Sequence, residues 1–240
     1  MKNKLYIVIP AYNEEANIRQ VIDDWYPVVE KYNGDGESRL VIINDGSKDK
    51  TYEIMCEYAK ERPLFKPVTK PNGGHGATVL YGYHYALKQK ADYIFQTDSD
   101  GQTLPSEFDQ FWEQKEKYDM VIGWRNNRQD GFSRVFVTKT LKLVIKLCFG
   151  VTVTDANTPF RLMKAETLEK YISLIPKDFN LSNVVLSVIY AKKGCQVKYI
   201  PITFRPRQGG VNSINMKKIF GIGKQALKDF REINKIINHS

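Results

Sequence analysis

Three cysteines, Cys56, Cys148 and Cys195, are too few and too scattered in 240 residues for a disulfide framework or a zinc-ligand spacing. Reduced thiols in a cytosolic protein are the expectation. No segment approaches the roughly 18 apolar residues needed to span a bilayer. The best attempt, Leu141 to Val153, is short and contains Lys142 and Lys146. Met1-Lys-Asn-Lys runs straight into a short apolar stretch closed by Pro10, which is not a secretory signal pattern. A soluble or peripheral chain is expected. Repeats, low-complexity stretches and linkers are missing, as are a nucleophile elbow and a zinc motif. Asn72-Gly-Gly-His75-Gly76 is Gly-rich but has neither full dinucleotide-loop spacing nor a Lys-Ser/Thr pair. Acids are also in deficit: 36 Lys and Arg against 27 Asp and Glu leave a net charge of +9. That sign favours phosphorylated substrates, anionic lipid or nucleic acid. No basic cluster on a recognised nucleic-acid motif accompanies it, and nucleic acid is not expected as a partner.

What is present is an alternation of apolar strands and amphipathic helices. Leu5–Ile9, Leu40–Ile43, Phe65–Thr69, Tyr93–Gln96 and Met120–Gly123 read as strands. Between them, 14–30, 51–61, 76–90 and 105–117 read as helices. Such alternation implies right-handed βαβ units and a mostly parallel sheet, an α/β fold. The second half is less regular: helices over 133–149, 165–174 and 181–192, and strands over 160–163 and 197–204. Residues 215–237 form an amphipathic helix that packs on the core or lies on a membrane surface, appended to a catalytic domain spanning 1–214.

The chemistry sits where strands end. Tyr93–Gln96 runs into Asp98-Ser-Asp100-Gly-Gln102, and Leu40–Ile43 into Asn44-Asp45-Gly46-Ser47. Acids at the carboxyl ends of strands in an open α/β sheet lie where such sheets bind ligands. Two acids one residue apart repel, and a divalent cation bridging them to a diphosphate compensates. The plainer reading of either run is an Asp- and Gly-rich turn or helix cap. An EF-hand does not fit, since Thr103 stands where its glycine belongs. Pro10-Ala-Tyr12-Asn13-Glu14-Glu15 likewise leaves a strand and opens a helix. His75 reads as a structural histidine.

These runs occur in one order with sensible spacing, and together they resemble the inverting GT-A glycosyltransferases of family 2. The resemblance is nearest to the dolichol-phosphate mannosyltransferase and bacterial polyprenyl-phosphate glycosyltransferase branch. It extends through Asp155-Ala-Asn157-Thr-Pro-Phe160-Arg161 and Phe204-Arg-Pro-Arg207-Gln-Gly209, and so covers most of the chain. Where the branch usually has Thr-Ser-Gly-Phe, this chain has Asn157-Thr-Pro-Phe160.

The resemblance implies a Rossmann-like nucleotide-binding half, a UDP- or GDP-sugar donor, and Mg²⁺ or Mn²⁺. Pro10, Tyr12, Glu14, Asp45 and Gly74 would hold the nucleoside. Asp98 would face the ribose or diphosphate, and Asp100, with Gln102 beside it, would ligate the metal. A polyprenyl phosphate acceptor needs cations, for which Arg125, Arg128, Arg134, Arg205 and Arg207 are candidates. A glycan or glycolipid hydroxyl would instead need a base. Asp155 is the first candidate for it, with capping or orienting Arg161 as the plainer role. The implied location is cytoplasmic, peripheral at the inner face of the membrane through a lipid surface or a membrane protein partner.

Overall fold

The computed structural model describes residues 3–34, 36–125, 132–205, 227 and 229–238, with the side chains of 132–139 left aside. A seven-stranded sheet carries the chain. Its strands are β1 (Leu5–Ala11), β2 (Arg39–Asn44), β3 (Phe65–Thr69), β4 (Tyr93–Gln96), β5 (Met120–Arg125), β6 (Arg161–Lys164) and β7 (Val197–Ile202). The spatial order is β3-β2-β1-β4-β6-β5-β7. All pairings are parallel except those of β6, which runs against β4 and β5.

The central strands are apolar throughout because both faces are covered. Every residue of β1 is buried. Leu5, Ile7 and Ile9 enter one core with α1 (Ile18–Lys31), α2 (Thr51–Ala59) and α4 (Phe108–Trp112). Tyr6 and Val8 enter a second, with α3 (His75–Lys88), α5 (Phe132–Phe149), α6 (Ala165–Ile172) and α7 (Ser182–Lys192). The strand period of two divides one sequence between two cores. Each fully buried Ile or Leu contributes about 1.5–3 kcal/mol.

Two expectations need correction. The stretch 105–117 is not one helix: a 3₁₀ turn at Pro105–Glu107 leads into α4, which ends at Trp112. The first helix begins at Ile18 rather than at residue 14. Residues 14–17 form a turn in which the Glu14 carbonyl accepts from the amides of Asn17 and Ile18. The region 215–226 lies outside the described residues. Residues 229–238 are helical (α8), and Phe230, Ile233 and Ile237 are buried, with the Phe230 ring 5.3 Å from that of Phe149. No helix among the described residues is long and apolar enough to cross a membrane.

Gly76 lets the start of α3 close onto the loop before α7. A Cβ there would stand 2.3 Å from the Phe179 carbonyl oxygen and 2.4 Å from that of Asn180. Gly76→Ala must displace main chain, and a loss of about 1–3 kcal/mol is expected in urea unfolding. An unchanged midpoint would mean that α3 and the 179–180 segment are not so closely seated.

Candidate active site

The strand order brings the acids and arginines to one rim. β1, β2, β4, β5 and β7 all point their carboxyl ends there. β6 runs the other way, so the segment before it, 155–160, reaches the same rim.

The β1–α1 and β2–α2 loops are stitched together side chain to main chain. Asn13, at φ +54°, donates its amide to Ser47 Oγ (2.9 Å) and accepts the Lys48 amide at Oδ1 (2.8 Å). The Glu14 amide donates to Thr51 Oγ1 (2.9 Å), and the Glu15 amide to Asp49 Oδ2 (3.1 Å). The Glu14 carboxylate accepts from Asn17 Nδ2 at 2.8 Å and is buried. Pro10 is buried within β1, and the Tyr12 ring is left 44% exposed at the rim.

Burial opposes ionisation of Asp49, but hydrogen bonds from the Thr51 hydroxyl and amide and from the Glu15 amide outweigh it and hold its pKa below the usual range. A depressed carboxyl adds stability above its unfolded value, near 3.9, and loses it as pH falls through the folded value. Asp49→Asn should therefore be less stable than wild type at pH 7, with the gap shrinking from about pH 4 downward. Urea midpoints across pH would show this; a gap constant down to acid pH would remove the linkage.

Asp45 is almost wholly buried, and its carboxylate organises the Gly-rich loop. Oδ1 accepts the Gly73 amide and Oδ2 the Gly74 amide, each at 2.9 Å, and Lys70 Nζ closes an ion pair. The Asn72 side chain donates to the Asp45 carbonyl at 2.9 Å. Gly46 makes this close approach fit: at φ +66°, a Cβ would lie 2.8 Å from the Asn72 nitrogen.

Asp98 and Asp100 project from a braced loop. The Thr97 amide donates to the Val8 carbonyl, and the Thr97 and Thr103 hydroxyls meet at 2.7 Å. Asp98 Oδ1 lies 2.9 Å from His75 Nε2. Asp100 Oδ1 accepts the Gln102 amide at 3.1 Å. The His75 side chain is half exposed; its partial desolvation lowers its pKa, but Asp98, Asp100 and Asp45 outweigh this and leave it raised. The histidine read as structural thus stands among the acids, across 23 residues of sequence. Lys70 was also missed; only its place just before the Gly-rich loop could have pointed to it.

Gln102 and Arg205 are joined reciprocally. The Arg205 amide donates to the Gln102 carbonyl (2.8 Å) and Gln102 Nε2 to the Arg205 carbonyl (2.8 Å). Asp155 is nearly buried and holds Arg125, not Arg161: Arg125 Nε donates to Oδ2 at 3.0 Å and Nη2 to Oδ1 at 2.8 Å. The Phe204 ring lies 5.1 Å from the same guanidinium. The Arg134 side chain, Arg128 and Arg207 fall outside the described residues.

Among the described residues no group of three or more His, Cys, Asp or Glu could hold a metal alone. Mg²⁺ is commonly held by one or two carboxylates together with substrate phosphates. The Asp98 and Asp100 carboxylates and the Gln102 side-chain oxygen are groups that could contribute to such a set.

Residues 6–172 match the sequence profile of Glycosyl transferase family 2. The chain belongs to that family. It is 24% identical over 199 residues to the undecaprenyl-phosphate 4-deoxy-4-formamido-L-arabinose transferase of Pectobacterium atrosepticum, covering 78% of this chain and 59% of that protein's length. With the polyprenol monophosphomannose synthase of Mycolicibacterium smegmatis it shares 24% identity over 222 residues, 89% of this chain and 82% of the other. Glucosyl-3-phosphoglycerate synthase from Mycobacterium tuberculosis, solved with phosphoglyceric acid, superposes with a TM-score of 0.71 over 97% of this chain and 80% of that one, at 18% identity. That likeness is one of fold, and with the sheet order it gives this member of family 2 a GT-A-type architecture.

Proposed function

We propose that this chain transfers a sugar from a UDP- or GDP-sugar to a polyprenyl phosphate, with inversion at the anomeric carbon. Residues 1–214 are the transferase unit in this reading, and 215–240 an appended helix. Tyr12 faces the base, while Pro10, Glu14, Asp45 and Gly74 shape its pocket through the two stitched loops. Asp98 meets the ribose or diphosphate. Asp100 and Gln102 hold Mg²⁺ or Mn²⁺, which when bound neutralises charge growing on the leaving diphosphate. The mycobacterial synthase of the same fold has been solved with Mn²⁺ and UDP-glucose.

The observation that carries the choice of acceptor is the Arg125–Asp155 pair. A carboxylate committed to a two-point guanidinium contact is poorly disposed to take a proton from a hydroxyl. An ionised phosphate needs no base, only placement and charge balance, and Arg125 at the rim, with Arg205 beside the acidic loop, offers both. Arg134 and Arg207 complete the proposed cationic set. Both relatives named above act on undecaprenyl-phosphate or polyprenol substrates by their names. The test is a panel of UDP- and GDP-sugars assayed with short-chain polyprenyl phosphate and, separately, with glycan and glycolipid acceptors. Labelled sugar on the lipid phosphate is expected. Product on hydroxyl acceptors alone would overturn the reading.

We place the protein at the cytoplasmic face of a membrane. On α5, Leu143 and Leu147 are 58% and 76% exposed, one turn apart, beside exposed Lys142 and Lys146. Such a face suits an anionic lipid surface. Flotation with phosphatidylglycerol vesicles should carry the wild type upward and leave Leu143→Asp/Leu147→Asp behind. Equal flotation of both would remove this face from the account.

A further inference from the structure

Arg161 opens β6 with no exposed surface at all. Its guanidinium is spent on neutral acceptors of two segments. Nε and Nη2 donate to the Thr158 carbonyl (3.1 and 2.6 Å), and Nη2 also to the Ala156 carbonyl (3.2 Å). Nη1 donates to the Asn183 carbonyl on α7 (3.1 Å) and reaches Ser187 Oγ at 3.4 Å. The Ser187 hydroxyl spans the same gap, contacting the Ala156 carbonyl at 3.1 Å and the Asn183 carbonyl at 2.9 Å. Burial pushes the Arg161 pKa down, with Asp155 among the groups that oppose the shift.

A buried cation is expensive to keep, and fastening a loop does not by itself require one. What Arg161 fastens is the segment that carries Asp155. Ala156 and Thr158 hang from its guanidinium, Asp155 directly precedes them, and Asp155 grips Arg125. In the sheet, Arg161 lies opposite Gln96 of β4 and Ile122 of β5, between the strand leading to Asp98 and the strand ending at Arg125. Around it, Thr158 Oγ1, Asn183 Oδ1 and Gln96 Nε2 are buried without a hydrogen-bond partner, so the polar surroundings of the guanidinium are already incompletely satisfied.

We propose that Arg161 is a positioning residue for the acceptor phosphate: by suspending the 156–158 main chain it fixes Asp155, and through Asp155 it aims the Arg125 guanidinium. The inference rests on the lipid-phosphate reading above for its ligand, and on the hydrogen bonds alone for its mechanics.

Arg161→Lys keeps the charge but replaces a planar fork of five donors with a compact ammonium. Three readouts separate positioning from bulk stability. The KM for short-chain polyprenyl phosphate should rise about tenfold or more, because small misplacements of an orienting group are costly. Binding of UDP or GDP by calorimetry should stay within about twofold of wild type, since the nucleotide loops do not touch Arg161. Amide exchange over 155–158 should quicken while that over 97–102 does not. In an Arg125→Lys background, Arg161→Lys should add almost nothing to the acceptor KM, because both changes act through one contact. An unchanged acceptor KM, or full additivity with Arg125→Lys, would overturn the proposal.

If Arg161→Lys does not fold, Ser187→Ala removes only the hydroxyl that braces the same carbonyls. It should raise the acceptor KM in the same direction, by about threefold; no change would again overturn the role. Should wild type transfer nothing to polyprenyl phosphate, the acceptor reading has failed. The exchange measurement still judges Arg161 in that case, because unaltered exchange over 155–158 would show that it does not hold the segment.

Discussion

Asp100→Ala should abolish metal-dependent transfer, with kcat lower by about a thousandfold or more. A divalent ion facing a leaving diphosphate stabilises developing charge by several kcal/mol, and each 1.36 kcal/mol is about tenfold in rate. Asp100 is suited to that ion because the loop around it is fixed. Thr97 is tied to β1, Thr103 is tied to Thr97, and the Gln102 amide already points at Asp100 Oδ1. The carboxylate can therefore be removed while the loop persists. Unfolding midpoints near wild type are expected, alongside lost Mn²⁺-dependent nucleotide affinity. Turnover retained at saturating metal would remove Asp100 from its proposed role, and a large fall in stability would make the loop, not the ligand, the cause.

Asp155→Asn should lower kcat/KM for the lipid acceptor by about a hundredfold, most of it in KM. The exchange removes one side of a nearly buried ion pair, and breaking such pairs commonly costs about 3–5 kcal/mol. Asparagine keeps the shape and one acceptor oxygen, so a smaller effect than complete loss is expected here. Arg125 then lacks the carboxylate that sets its orientation. A positioning role predicts that Arg125→Lys mimics Asp155→Asn, that the double variant is little worse than either, and that nucleotide binding is unaffected. A general base predicts a different pattern: kcat falls, KM stays, and an acid limb disappears from the pH–rate profile. That second pattern would return Asp155 to the hydroxyl-acceptor mechanism.

Much of this architecture is legible in the chain itself. Leu5–Ile9 and Leu40–Ile43 are continuous apolar runs because their strands are covered on both faces; the first is followed by Pro10-Ala-Tyr-Asn-Glu-Glu and the second by Asn44-Asp-Gly-Ser. The acidic loops and the family resemblance follow from local sequence. Features that depend on strand order are not legible in this way. The direction of β6 leaves no local mark: Phe160-Arg-Leu-Met reads as a strand whichever way it runs. Its reversal is what carries Asp155 to the rim beside Arg125, a contact across 30 residues. From sequence, the nearer Arg161 was the natural partner, yet it turns inward to main-chain carbonyls. The break after Trp112 also escaped, since 105–117 lacks a proline or glycine within the helix to announce it. His75 carries no spacing signal, because the fold alone sets it against Asp98. Local propensity wrote the strands and loops, and the sheet order wrote the site.

The central claim is that strand-end acids hold a nucleoside diphosphate through a shared divalent ion. Calorimetric titration of UDP and GDP into the full chain, with Mn²⁺ and with EDTA, tests it most directly. The account predicts saturable binding of one nucleotide with Mn²⁺, at least about tenfold weaker binding with EDTA, and the same weakening for Asp100→Ala in Mn²⁺. Binding of either nucleotide that is indifferent to Mn²⁺, or no binding of both, would contradict it.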